Sequence, residues 1–148
     1  MEKPLKKLKE VIAKQVRLLG IIKTIEKTKN EILSQGKLMD FSALNENQTS
    51  LMEENLKLEK EREKILEEMG AEIRTAGEQR LKFTQILNRV SDPSQKRELE
   101  DLFGQLKAMV GEIKALTSMN QELIEVALQV IDLTLSQGEI SREEIDYT

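Results

Sequence analysis

The side chains best equipped for chemistry in this chain of 148 residues are its 27 Asp and Glu. General acid and base work would need two of them in one desolvated cleft with their proton affinities pushed apart. Here the carboxylates are scattered along segments whose other face is apolar, and no spacing singles out a pair. The chain has no His and no Cys, so imidazole proton transfer, thiolate attack, disulfides and the usual zinc ligand sets are excluded. No catalytic residue, metal ligand or cofactor is expected, and the chain is not read as an enzyme. The chemistry left to it is recognition, performed by apolar side chains at helical spacing.

The segment VALQVIDLTL concentrates that chemistry. It holds Val126, Leu128, Val130, Ile131, Leu133 and Leu135, too many apolar side chains, spread too far around a helix, for a surface that ends in water. A second copy of the chain, the connector around Leu81 to Leu87, or a partner helix anchored at i, i+4 and i+7 could cover it. A helix that bends back and makes the strip part of its own core is an equal alternative. Two polar residues, Thr117 and Asn120, fall in the same stripe. A buried Asn among apolar helix positions fixes register at some expense in stability, so Asn120 is read as a structural polar core residue.

Long helices must position these groups. Hydrophobic residues make up 39% of the chain, charged residues 34% and aromatics 3%, the balance of one elongated helical domain rather than a thick globule. The first helix is expected over about 4–35, opening on Pro4 and ending at Gly36. Leu5, Ile12, Leu19 and Leu33 form one row, Val11, Leu18, Ile25 and Ile32 the next, and Leu8 with Ile22 a third, interrupted by Gln15, Glu26 and Lys29. A second helix is expected over 40–69, capped by Asp40 and stopped by Gly70, with Leu44, Leu51, Leu58 and Ile65 repeating by seven. Gln48, Asn55 and Arg62 occupy the positions that would complete its seam, leaving a narrow strip and a hydrophilic flank.

A short helix is expected over 78–90, then a break at SDPS with Ser91 or Asp92 as cap, then a third long helix over 94–137. Its stripe is broad: Leu99, Leu106 and Ile113; Leu102, Met109, Leu116, Leu123 and Val130; Phe103, Val110, Ile124 and Ile131. Gly104 and Gly111 lie on its outward face, where either a close crossing or simple tolerance explains them. The fold class is therefore all-α: an elongated antiparallel three-helix coiled-coil bundle spanning 1–137, with the short extra helix in its second connection and a flexible acidic tail over 138–148. At 1.5 Å per residue the three long helices measure about 48, 45 and 66 Å, so about 15 to 20 Å of the last one, Val126 to Gln137, overhangs the hairpin tip.

Charge separates along the chain. Met1 to Lys37 carries ten Lys or Arg against four acids, whereas Ala115 to Thr148 carries seven acids against Arg142 alone. The basic segment contains no aromatic residue for base stacking, so nucleic-acid binding is not expected, and pairing of the basic helix with acidic neighbours is the plainer account. No stretch reaches the roughly 20 apolar residues of a membrane span, and the N-terminus lacks the apolar centre of a signal peptide, so a cytoplasmic protein without membrane insertion is expected. Glu2 and Glu10 interrupt the basic face that a membrane-surface helix would need.

The order of these elements resembles the FlgN family of flagellar export chaperones. IKALTSMNQELI is similar to that family's pattern L-x-x-L-N-x-x-N-x-x-L-L through Ile113, Leu116, Thr117, Asn120, Leu123 and Ile124, with Thr117 where the family more often has Asn. The second helix is similar as well, with Leu38 and Asp40 before it and Leu58, Glu59, Arg62 and Leu66 within it. The resemblance implies a cytoplasmic chaperone that binds the C-terminal helical segments of the hook-filament junction proteins FlgK and FlgL, prevents their premature assembly and delivers them to the type III export gate. It places client capture on Leu123, Ile124, Ala127, Leu128, Ile131 and Leu135, and makes Tyr147 a candidate contact with the gate protein FlhA. On this reading the free protein is a monomer or weak homodimer. The alternative is a structural coiled-coil protein that closes the same strip on itself and has no client.

Overall fold

The computed structural model describes residues 2–36 and 41–137, apart from the side chains of Ile131, Thr134 and Gln137. It contains four helices in the order α1 (Glu2–Ser34), α2 (Phe41–Ile73), α3 (Phe83–Asn88) and α4 (Pro93–Gln137). There is no strand among the described residues. Gly36 follows α1 with φ 71°, the left-handed conformation that a residue without Cβ adopts cheaply, and its N–H donates to the Leu33 carbonyl at 3.3 Å. Asp92 caps α4: its Oδ1 accepts from the Ser94 N–H at 2.9 Å, and its carbonyl accepts the first helical bond from Lys96 at 3.0 Å. Pro93 fills the first helical position, where a missing N–H costs nothing. The expected cap Asp40 lies outside the described residues.

Two expectations about element ends are corrected. Gly70 does not stop α2, which continues to Ile73. The helix runs through the glycine, on which a Cβ would stand 3.6 Å from Ile86 Cδ1 and 3.9 Å from Leu81 Cβ. Those are ordinary van der Waals contacts, so a methyl group fits. Gly70→Ala is therefore expected to raise stability by about 0.5 to 1 kcal/mol through helix propensity, whereas Gly70→Leu should lower it by about 1 to 3 kcal/mol through overpacking. Paired urea titrations check the difference in sign.

The second correction concerns the short helix, which spans only Phe83–Asn88 rather than 78–90. Glu78 is engaged instead as a loop staple. It accepts from Arg89 Nη1 at 2.9 Å and Nη2 at 2.7 Å, from the Thr75 backbone N–H at 2.9 Å and from the Thr75 hydroxyl. Donation by Arg89, aided by Thr75, lowers the Glu78 pKa from 4.5 to about 2. A carboxylate held below its unfolded value contributes stability that is present above about 4.5 and lost as pH falls towards 2. Carboxyl NMR titration should give Glu78 a midpoint near 2, returning towards 4.5 in Arg89→Ala.

Helix α1 is the spine. Helix α2 runs antiparallel to it, since Gln15 meets Asn55 and Arg62 while Lys29 meets Gln48. Helix α4 runs parallel to it, as the Lys9–Glu98 and Lys23–Glu112 ion pairs require. Helices α2 and α4 pack along α1, not along one another, and α3 bridges them at one end. That end holds the core: Leu5, Leu8, Val11 and Ile12 of α1, Ile65 and Met69 of α2, Leu81, Ile86, Leu87 and Val90 of the connection, and Leu99 and Leu106 of α4. Phe83 stacks on Phe103 there, with centroids 4.0 Å apart. Gly104 and Gly111 face open space, so no helix crosses at them.

Candidate partner-binding surface

Two polar layers divide the core along α1. In the first, Gln15 donates to Asn55 Oδ1 at 3.2 Å and accepts from Arg62 Nη1 at 2.8 Å. Arg62 also lies 5.9 Å from the Phe103 ring centre, a cation over an aromatic face. In the second, Gln48 bridges Glu26 and Lys29, and Asn120 Nδ2 donates to the Glu26 carbonyl at 2.9 Å and to its Oε2 at 2.7 Å. Glu26, Lys29 and Asn120 are all buried. Every polar interruption of the α1 stripe thus has a partner on α2 or α4. An apolar neighbour sliding into either layer would strand a buried polar group, which makes the layers register markers.

The second layer stands near the hairpin tip, and beyond it α4 loses its support. Asn30 and Ser34 near the end of α1 line a shallow groove with Met119, Glu122, Leu123 and Val126 of α4, so Ser34 is level with about Val126. At 1.5 Å per residue α4 continues about 16 Å further, and no other described element runs beside that stretch. The connector containing Leu81 and Leu87, one conceivable cover, is buried at the opposite end of the molecule. Helix α4 is unbroken to Gln137, so it does not fold back on itself.

Among the residues expected to bind a partner, Leu123, Ile124, Ala127 and Leu135 are half-buried and Leu128 is 58% exposed. Ile131 lies on the same helix, with its side chain outside the described set. Asn120 sits apart from these, in the core layer. Tyr147 and the whole of 138–148 fall outside the described residues. The structure joins Met119, at 52% exposure, to Val126 at 55% and Leu133 at 59%, two residues of the apolar segment that were not among those expected to bind a partner. These three repeat by seven, the signal that ties Met119 to the other two. One heptad earlier the same flank carries Glu112, which pairs with Lys23 of α1. Lys23, with the charge of Lys27 behind it, holds the Glu112 carboxyl below its usual range. The flank is therefore closed by an ion pair beside α1 and turns apolar where α1 ends.

Among the described residues no group of acidic side chains is placed to hold a metal ion. No described helix is long and apolar enough to cross a membrane. What the surface offers is exposed apolar area on a helix that runs on to Gln137. Residues 1–137 match the family described as FlgN protein. No curated protein and no solved structure matches the chain.

Proposed function

The chain belongs to the FlgN family of flagellar export chaperones, and from that premise we propose that it binds the C-terminal helical segments of the hook-filament junction proteins FlgK and FlgL. It does so in the cytoplasm, keeps them from assembling early and brings them to the export gate, with Tyr147 as the contact for FlhA. The three long helices act as an elongated antiparallel coiled-coil bundle whose task is to hold the far end of α4 out from the rest. Client capture falls to Leu123, Ile124, Ala127, Leu128, Ile131 and Leu135. The observation that carries this reading is the exposed Leu128, on a helix that has outrun its own neighbours.

The reading is tested by mass in solution. Light scattering should give a monomer or weak dimer that becomes a one-to-one complex on addition of a FlgK or FlgL C-terminal fragment. A tight oligomer, unchanged by either fragment, would overturn it and favour the self-assembling coiled coil. Retention of the complex in high salt separates apolar capture from binding through the basic segment Lys3 to Arg17, which salt would dissolve.

A further inference from the structure

One strip of the overhang continues down α4 below the level of Ser34. Phe103, Val110, Thr117 and Ile124 stand seven apart, and Leu128 and Leu135 carry the row past the end of α1. At 100° per residue these six lie within about 60° of one another, well inside the stripe of about 100° that one packed helix covers. The row stays open along its length: Phe103 and Ile124 are half-buried, Thr117 is exposed, and Val110 and Leu128 are 37% and 58% exposed. From Val110 to Leu135 the strip measures about 38 Å, the length of a helix of about 25 residues.

Below Ser34 the strip becomes one wall of a groove. Helices α2 and α4 both pack on α1 and leave a channel between them, floored by Gln15 and Leu19 of α1 and walled by Asn55 and Glu59 of α2 and by Val110 of α4. Met52, 49% exposed, continues the α2 wall seven residues before Glu59. At its base the channel already holds a helix: α3 bridges α2 and α4, with Phe83 stacked on Phe103 and Ile86 beside Gly70. Above Phe103 no described helix takes up that track. Resting on the client reading above, we propose that the client helix runs from the overhang into this groove, between α2 and α4, until it meets Phe83 and Phe103.

Depth and charge select the occupant. Ser34 is level with about Val126, so the groove runs about 24 Å from there down to Val110. A second copy offers only its own overhang, about 16 Å long, and its hairpin tip would meet this one's before that helix reached Val110. A client helix carries no such shoulder and passes the whole way. Lys107 lines the groove and Lys114 follows seven residues on, and among the described residues neither forms an ion pair with an acid. The client helix therefore presents Asp or Glu along its α4 flank, and α3 fixes how far it enters.

A spin label on α2 and a pair of charges test the groove. The chain has no Cys, so a nitroxide on Met52→Cys reports from one place, and it should lose mobility when a FlgK or FlgL C-terminal fragment saturates the protein. Met52→Asp with Val110→Asp should weaken the fragment about 100-fold in calorimetric titration, by placing charge in an apolar contact. The melting temperature of that pair should match the parent's, because both side chains are exposed. If it melts early, Met52→Ala with Val110→Ala replaces it, with an expected loss of about tenfold. A label that stays mobile in the complex, or wild-type affinity of the folded pair, overturns insertion between α2 and α4. A label already immobile in the free protein and released by dilution gives the groove to a second copy, which overturns it too. Capture by the overhang survives either result as long as Leu128→Asp abolishes binding. If Leu128→Asp is silent as well, the proposed function fails with the inference.

Discussion

Glu26→Ala is expected to cost about 3 to 5 kcal/mol of folding stability, the range for removing one partner of a buried charge pair. Glu26 is 3% exposed and Lys29 6%. The Lys29 ammonium stands 3.5 Å from Glu26 Oε1, bonds to Gln48 and lies 5.2 Å from the Phe41 ring centre. Without the carboxylate, Lys29 keeps a neutral amide and a ring but no countercharge, and Gln48 and Asn120 each lose an acceptor. Snorkelling of the lysine stem towards water sets the lower end of the range. The measurement is a urea titration, in which the midpoint should fall while the slope stays constant. A loss below about 1 kcal/mol would mean that water reaches the layer.

The companion variant sharpens the point. Replacing Glu26, Lys29, Gln48 and Asn120 together by Leu removes the polar groups along with their desolvation, so stability should recover or exceed that of the parent. Register should then suffer, because nothing polar would forbid α4 from sliding along α1. The parallel pair has few other such constraints: Lys9–Glu98 and Lys23–Glu112 are partly exposed ion pairs, worth little individually.

These layers also show where a single sequence stops being readable. Its rows of seven name seven buried apolar residues of α1, Leu5, Leu8, Val11, Ile12, Leu18, Leu19 and Ile22, whereas Ile25, Ile32 and Leu33 of the same rows are only half-buried. Gln15, Glu26 and Lys29 read as gaps in that face, and Gln48, Asn55 and Arg62 as a wet flank of α2, since periodicity along one helix carries no information about its neighbour. The structure joins the two sets. Gly70 misleads for a related reason: a glycine that ends a helix and one that a helix runs through look alike in a single sequence, and α2 runs through this one to Ile73. Glu78 looks helical until Arg89 and Thr75 claim it. The overhang was legible from length alone, because residue counts fix helix lengths. The flank of Met119, Val126 and Leu133 was legible in principle by the same sevenfold spacing, but its role depends on where α1 ends beside it.

Leu128→Asp should abolish client capture without harming the fold, a separation that few positions in a narrow helical protein allow. The side chain is 58% exposed in the chain alone, so a carboxylate there stays hydrated and the melting temperature should hold. In a complex that covers the site, the same carboxylate is taken from water with no cation among its chaperone neighbours, at a cost of several kcal/mol. Affinity for a FlgK or FlgL fragment should fall by at least about 100-fold. Ile131→Asp, on the next turn of α4, should act in the same direction. The contrast is Leu8→Ala at the far end of α1, a fully buried site where a cavity should lower stability by about 2 to 5 kcal/mol. Any folded fraction of that variant should still bind. Circular dichroism melts and calorimetric titration on the same three proteins therefore give opposite patterns. Intact capture by a folded Leu128→Asp protein would remove the overhang from the client site, and unfolding of that protein would mean that Leu128 belongs to the core of the free chain.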